Sequence, residues 1–202
     1  HLLVWHVDEP HFRDALTCSG GFEGMAITPD GSKLITLLEK PLIDGEASIL
    51  LMHEFDIVTK SYTGVRYKYP LKGEAIGDFI LFAPDKGWVI ERDNSQDDMN
   101  NGFKMIYQIK LNGNGNLVTK NLAVNLLQIA SPNHIASGKS GDIGIGNHFG
   151  FPFVTIEDVV VLGENQLGVL NDNNYPFSVG RHVGSGQPDG NEFIILCVGG
   201  TC

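Results

Sequence analysis

Apolar residues in this chain come in short runs, separated by clusters of Gly, Pro, Asn and Asp. From Gly20 onward they include MAI, LITLL, SILLMHEF, FILF, WVIE, KMIYQIKL, DVVVL, LGVL and EFIILCV. Runs of about four to eight residues bounded by turn formers predict β-strands. A sustained helical period is absent, and residues 122–130 (LAVNLLQIA) hold the one weak helical pattern.

Three stretches repeat one design: residues 23–39 (EGMAITPDGSKLITLLE), 78–93 (DFILFAPDKGWVIERD) and 157–172 (EDVVVLGENQLGVLND). Each opens on a carboxylate and runs through apolar residues to a turn holding an acid (Asp30, Asp85 or Glu164). A second apolar run then closes on another carboxylate. Such a unit predicts a hairpin, and a hairpin brings its ends together. Glu23 is expected near Glu39, Asp78 near Asp93, and Glu157 near Asp172.

Further hairpins follow the first two units. SILLMHEFDIVTKSYTGVRYKYP turns at Asp56–Lys60, and FKMIYQIKLNGNGNLVTKNLAVNL turns at Asn112–Asn116. Four antiparallel strands per unit is the pattern of a β-propeller blade. FILF and DVVVL are apolar on both faces, as inner strands of stacked blades must be; a sheet wetted on one face alternates. The fold expected is therefore all-β, a partial propeller of about three to four blades, with a β-sandwich as competitor. The longer second interval carries an insertion, assigned to the Gly-rich residues 131–150. Residues 1–16 fit no repeat and read as a lead-in or a strand completing a blade, ahead of one domain over 17–202.

At 202 residues the chain can bury a sizeable core. Its net charge of −10 excludes the basic footprint of a nucleic-acid binder. No window reaches the roughly 18 apolar residues of a membrane-spanning helix, and no signal peptide is visible. Cys18, Cys197 and Cys202 lack metal or redox spacing, leaving room for one disulfide and one thiol.

The bounding acids define the candidate chemistry. If inner strands line a channel, Glu23, Glu39, Asp78, Asp93, Glu157 and Asp172 converge from separate blades. Calcium takes six to eight oxygen ligands of this kind, and it would relieve the mutual repulsion of close carboxylates. The bland alternative is that these acids cap turns or pair with Lys40 and Arg92. Lys40, Arg92, Lys104 and Arg181 neighbour the acidic ends and suit phosphate capture, unless they serve only as salt-bridge partners. Asp30, Asp85 and Glu164 read as ordinary turn residues. No G-x-S-x-G elbow is present, and Ser178 or Ser185 near His182 is weak ground for a Ser–His pair. The aromatics Phe149, Phe151, Phe153, Tyr175 and Phe177 read as blade packing.

GGFEGMAITPDG, LEKP, IGDF, VIERDN, FKMIY, FPFVTIEDVVVLGENQLGVLNDNNYPFS and GQPDGNEFIIL together resemble the phytase-like family, also called "esterase-like activity of phytase". The resemblance runs from about Gly20 to Leu196 and implies kinship with β-propeller phytases. It implies further blades upstream, so the chain looks like a C-terminal portion. The function expected is a metal-dependent phosphoesterase using Ca2+, with Arg92, Lys40 and Arg181 near a small phosphorylated substrate. An extracellular or periplasmic, secreted protein is expected with it. The alternative is a non-catalytic, calcium-stabilised module that binds partners or itself through an open blade edge.

Overall fold

The computed structural model of the chain describes residues 20–199. Strands β1 (Phe22–Ile27), β2 (Lys33–Leu38), β3 (Ile49–Asp56) and β4 (Ser61–Pro70) form one antiparallel meander. Strands β5 (Ala75–Ala83), β6 (Lys86–Arg92), β7 (Lys104–Lys110) and β8 (Thr119–Asn125) form a second. A two-stranded ladder of β9 (Ile129–Ala130) and β10 (His148–Phe149) follows. Then β11 (Thr155–Gly163), β12 (Gln166–Asp172) and β13 (Phe193–Cys197) form a three-stranded sheet. Among the described residues there is no helix, so none long and apolar enough to cross a membrane.

The three sheets are stacked blades. The first strand of the middle blade, β5, lies between β1 and β11, the first strands of its neighbours. β6 shows what stacking does to a sequence. All its residues after Lys86 are buried, because successive side chains of a strand point to opposite faces and both faces are covered. Val89 joins Leu37, Met52, Tyr69 and Phe79 in the core between the first two blades. Trp88 and Ile90 join Ile106, Phe151, Phe153 and Val169 in the core between the second and third. Each large apolar side chain buried this way contributes about 1.5–3 kcal/mol. β1, with one face covered, alternates: Gly24 and Ala26 are buried, Met25 and Ile27 exposed.

Two glycines set how closely the inner strands approach. A Cβ on Gly24 would lie 2.7 Å from the Cβ of Phe79, and one on Gly77 would lie 1.9 Å from the carbonyl oxygen of Ile156. Neither site tolerates a side chain without moving a blade.

A buried charge ties the first blade to the middle one. Glu91, fully buried on β6, accepts hydrogen bonds from Tyr69 Oη (2.7 Å), Lys72 N (2.6 Å) and Gly73 N (2.5 Å). It also pairs with Lys120 Nζ, which lies over the Tyr69 and Tyr107 rings.

The outer hairpins fall where the sequence places them, with turns after Asp56 and Lys110. The weak helix at 122–130 does not form. Its first residues continue β8 against β7, and Asn125 Oδ1 then accepts from Leu127 N to turn the chain. Strand pairing outweighs a marginal local preference. Asp30 is a turn residue as expected, accepting from Thr28 Oγ1 (2.6 Å) and Ser32 N (3.1 Å), with Gly31 at φ +72°. Cys197 is disulfide-bonded. The reading of residues 1–16, together with Cys18 and Cys202, lies outside the described residues.

Candidate active site at the bulged ends of the inner strands

All three inner strands carry a β-bulge at the same place. The register breaks between Phe22 and Gly24 in β1, Ile76 and Asp78 in β5, and Ile156 and Asp158 in β11. The inserted residues are therefore Glu23, Gly77 and Glu157. A bulge bends its strand and re-aims the extra side chain. On the second strands the equivalent closing positions are Glu39, Arg92 and Asp172. Glu39 N binds Gly21 O, Ala75 faces Arg92, and Thr155 faces Asp172. The flanking blades thus offer two acids each, while the middle blade offers a glycine and an arginine.

This corrects the repeat as the sequence suggests it. Asp78 and Asp93 are each one residue past the equivalent positions. Asp78 faces Ile90 within the ladder and stands apart from Asp93. Its Oδ2 accepts from Val159 N (2.8 Å) and its Oδ1 from Phe79 N (2.7 Å), so it staples the middle blade to the third. Burial pushes its carboxyl above the usual range, against those two hydrogen bonds. Asp93 accepts from Ser95 Oγ (2.7 Å) and Phe103 N (2.9 Å) and pairs with Lys104 Nζ (2.9 Å). Burial opposes ionisation there, but Lys104 and Ser95 outweigh it and hold the carboxyl below its ordinary value.

Arg92 joins the three blades. Its Nη2 donates to Glu157 Oε1 at 3.1 Å and lies 4.0 Å from Glu39 Oε1. Its Nη1 donates to Asn94 Oδ1 at 2.9 Å. The side chain is buried, and Nε has no hydrogen-bond partner among the described residues. Lys40 adds a second cation, 3.8 Å from Glu39 Oε1. Glu157 is held at about pKa 7, raised chiefly by burial; Arg92 opposes this, and the charges of Glu23 and Asp172 add to it. Glu39 is raised for the same leading reason, with Lys40 opposing and Glu23 adding. A carboxyl that changes protonation near neutrality, beside a permanent cation, can exchange a proton with a bound ligand.

Arg181 belongs to a different place. Its guanidinium donates to both carboxylate oxygens of Glu192, to Ile143 O (2.7 Å) and to Gly150 O (3.1 Å). It also stacks over Phe149 and Phe153. These contacts fasten the 131–150 loop to the 173–192 loop and include none of the acid set. Among the described residues no group of three or more His, Cys, Asp or Glu side chains is placed to hold a metal ion. The six acids do not close into one rim: Asp78 and Asp93 are spent on backbone and lysine partners.

His182 Nδ1 contacts Asp142 Oδ1 at 2.7 Å, while Ser185 Oγ donates to His182 O and Ser178 Oγ to Gln96 Oε1. No hydrogen bond joins either serine to the imidazole. The aromatics divide. Phe149, Phe151 and Phe153 are packed as expected, but Tyr175 and Phe177 are 69% and 89% exposed. Sequence reasoning missed those two, and it missed Asn94 as the partner of Arg92. The VIERDN stretch carried that signal, since an Asn two residues beyond an Arg at a strand end can reach back.

Two four-stranded antiparallel meanders and a three-stranded sheet, stacked with their first strands side by side, define a β-propeller architecture, here with a charged junction where the inner-strand bulges meet. The family model described as "Phytase-like: Esterase-like activity of phytase" matches residues 7–175, and the chain belongs to this family. The match takes in the whole Arg92 junction and begins within the stretch read as a lead-in. No curated protein matches significantly. Among solved structures, a GH43 endo-arabinanase from Bacillus licheniformis is similar over 86% of this chain and 51% of that one, at 11% identity and TM-score 0.35. The chain spans about half the length of that structure.

Proposed function

We propose that this chain carries the reacting groups of a phosphate-ester hydrolase, set at the Arg92 junction. The observation that carries the reading is Glu157, held near pKa 7 in contact with Arg92 where three blades meet. The family description points to phosphate and ester chemistry. Arg92 stays charged at any working pH, and a guanidinium binds phosphoryl oxygens well. Glu157, in its protonated form, gives its proton to the leaving alcohol oxygen as water attacks phosphorus. General-acid help of this kind is worth about 10²–10⁴-fold.

Calcium enters the proposal through Glu23 and Asp172, the exposed acids whose charges act on Glu157. With no three carboxylates placed to share an ion, substrate phosphate and water would complete its oxygen shell. Such a cation would offset the excess negative charge of the junction and polarise the phosphoryl oxygen. The disulfide at Cys197 supports an extracellular or periplasmic location, where such bonds persist.

The test is phosphate release from a simple phosphomonoester by the purified chain, with and without a calcium chelator. Turnover that depends on Glu157 supports the hydrolase, and turnover indifferent to chelation removes calcium from it. The exposed faces of the flanking blades favour a second reading. Met25 and Ile27 on one side, and Val160, Leu162, Phe193 and Ile195 on the other, are large exposed apolar residues. A non-catalytic module would use them to bind partners or itself, and would show concentration-dependent association without turnover.

A further inference from the structure

A second set of side chains gathers at the other end of the middle blade, away from Arg92. The register runs Ile80, Trp88, Gln108, Asn121 across β5 to β8, so these residues share one face of the sheet. Phe82, two residues beyond Ile80, lies on the same face. Trp88 belongs to the core shared with the third blade, so this is the face turned toward β11 and β12. Nearer the Arg92 end the two blades meet through Ile90, Ile106 and Phe153. Toward the β11–β12 turn they part and leave a cleft of about 770 Å³.

The cleft has an aromatic floor and polar walls. The Phe82 and Trp88 rings lie 5.5 Å apart, tilted by 31°. Gln108 and Asn121 line one side and Gln166 the other, and Glu164 is the sole charged residue of the lining. None of the three amides is spent on the fold: no hydrogen bond joins their side chains to another described residue. Each side-chain amide offers both donors and an acceptor, while ring faces take up apolar C–H surface. Small-molecule sites span roughly 300–1,000 Å³ and combine apolar walls with a few convergent polar groups. No Lys or Arg lines this cleft, and Glu164 repels anions, so the phosphate chemistry of the Arg92 junction is not repeated here. The combination suits a ligand with a C–H face and a rim of neutral hydroxyls, which is the chemistry of a sugar ring. We propose that the cleft between the second and third blades binds a neutral saccharide, with its ring against Phe82 and Trp88 and its hydroxyls on Gln108, Asn121 and Gln166. The site is separate from the Arg92 junction and stands independently of the hydrolase reading.

Cellotetraose, xylotetraose and maltotetraose are the probes, with tetragalacturonate as their acidic counterpart. Titration calorimetry measures affinity on the unchanged chain, on Phe82→Ala and on Asn121→Ala. Both side chains reach solvent, so the fold survives either change, and the thermal midpoint checks this. The indole N–H signal of Trp88 in NMR reports where the saccharide sits; the chain holds two tryptophans, and Trp5→Phe identifies the other signal. The expected result is that at least one neutral tetrasaccharide binds and shifts the Trp88 signal. Its affinity drops about three- to tenfold in each variant, the scale of one ring contact or one hydrogen bond. Tetragalacturonate binds more weakly. Failure of all three neutral probes to bind at millimolar concentration overturns the site. Binding that leaves the Trp88 signal unmoved, or that survives both substitutions unchanged, also overturns it, because the saccharide then sits elsewhere. Equal or tighter binding of tetragalacturonate overturns the neutral ligand class.

Discussion

Arg92 Nη2 lies 3.1 Å from Glu157 Oε1, so a guanidinium from the middle blade grips a carboxyl from the bulge of the third. The same Nη2 stands 4.0 Å from Glu39 of the first blade. One side chain thereby links three sheets that share no strand, and its removal should be felt by all three.

Arg92→Ala removes the cation that Glu39 and Glu157 share. Breaking one side of a largely buried pair costs about 3–5 kcal/mol; with Glu157 partly solvated, a loss near or below the lower end is expected in urea unfolding. The inflection of Glu157 should also move above its present position near 7, because the group opposing burial is gone. Carbon-13 NMR of the glutamate carboxyls reads that shift.

Stability should fall as pH rises through the window set by Glu157. Its folded value is about 7 against an ordinary 4.5, so between those limits the folded chain holds more of a proton than the unfolded one. The sign is then negative: unfolding free energy declines from about pH 4.5 to 7. Asp189 contributes in the same direction between its ordinary 3.8 and about 6. Asp93, held below its ordinary value, acts oppositely, and its contribution is lost as pH drops below about 4. Glu157→Gln should flatten the decline, by about 1–3 kcal/mol after allowing for solvent screening. Urea midpoints at pH 5 and pH 8 provide the comparison.

Gly77→Ala should be among the most damaging small substitutions, since its Cβ would sit 1.9 Å from the Ile156 carbonyl oxygen. Forcing the inner strands apart costs at least the roughly 1–3 kcal/mol of ordinary overpacking. Gly21→Ala, with nothing within 4 Å, is the control and should change the thermal midpoint little.

Glu91→Ala leaves Lys120 buried without its carboxylate and strands Tyr69 Oη, Lys72 N and Gly73 N. A loss of about 3–5 kcal/mol is expected. Thermal unfolding of this variant should show the first blade loosening before the others, seen as earlier amide exchange in β4 than in β12.

Much of the fold was readable because strands write their surroundings into alternation. FILF reads as apolar on both faces, and Phe79 is buried with Ile80 and Leu81 half-buried. DVVVL reads the same way, but Val160, Val161 and Leu162 are exposed, with one face of the third blade uncovered among the described residues. The outer hairpins were marked by their turn residues. The site was readable only in part. Glu23, Glu39, Glu157 and Asp172 were found by the repeat, but in the middle blade the repeat was read through Asp78 and Asp93. The equivalents are Gly77 and Arg92. A bulge shifts register by one without leaving a mark in composition, so an acid in the next position passes for the repeat. Glu91 looked like one more strand-end acid. Its burial depends on Tyr69 and Lys120, which are distant in sequence and meet it only through stacking.

If Glu157 donates a proton at the Arg92 junction, the pH dependence of kcat/KM for phosphomonoester hydrolysis will carry its titration. The unchanged chain should release phosphate with a rate that falls above an inflection near pH 7. Glu157→Gln should lose the inflection together with at least about a hundredfold of the rate. Full activity in Glu157→Gln, with the same profile, would show that Glu157 is not the proton donor.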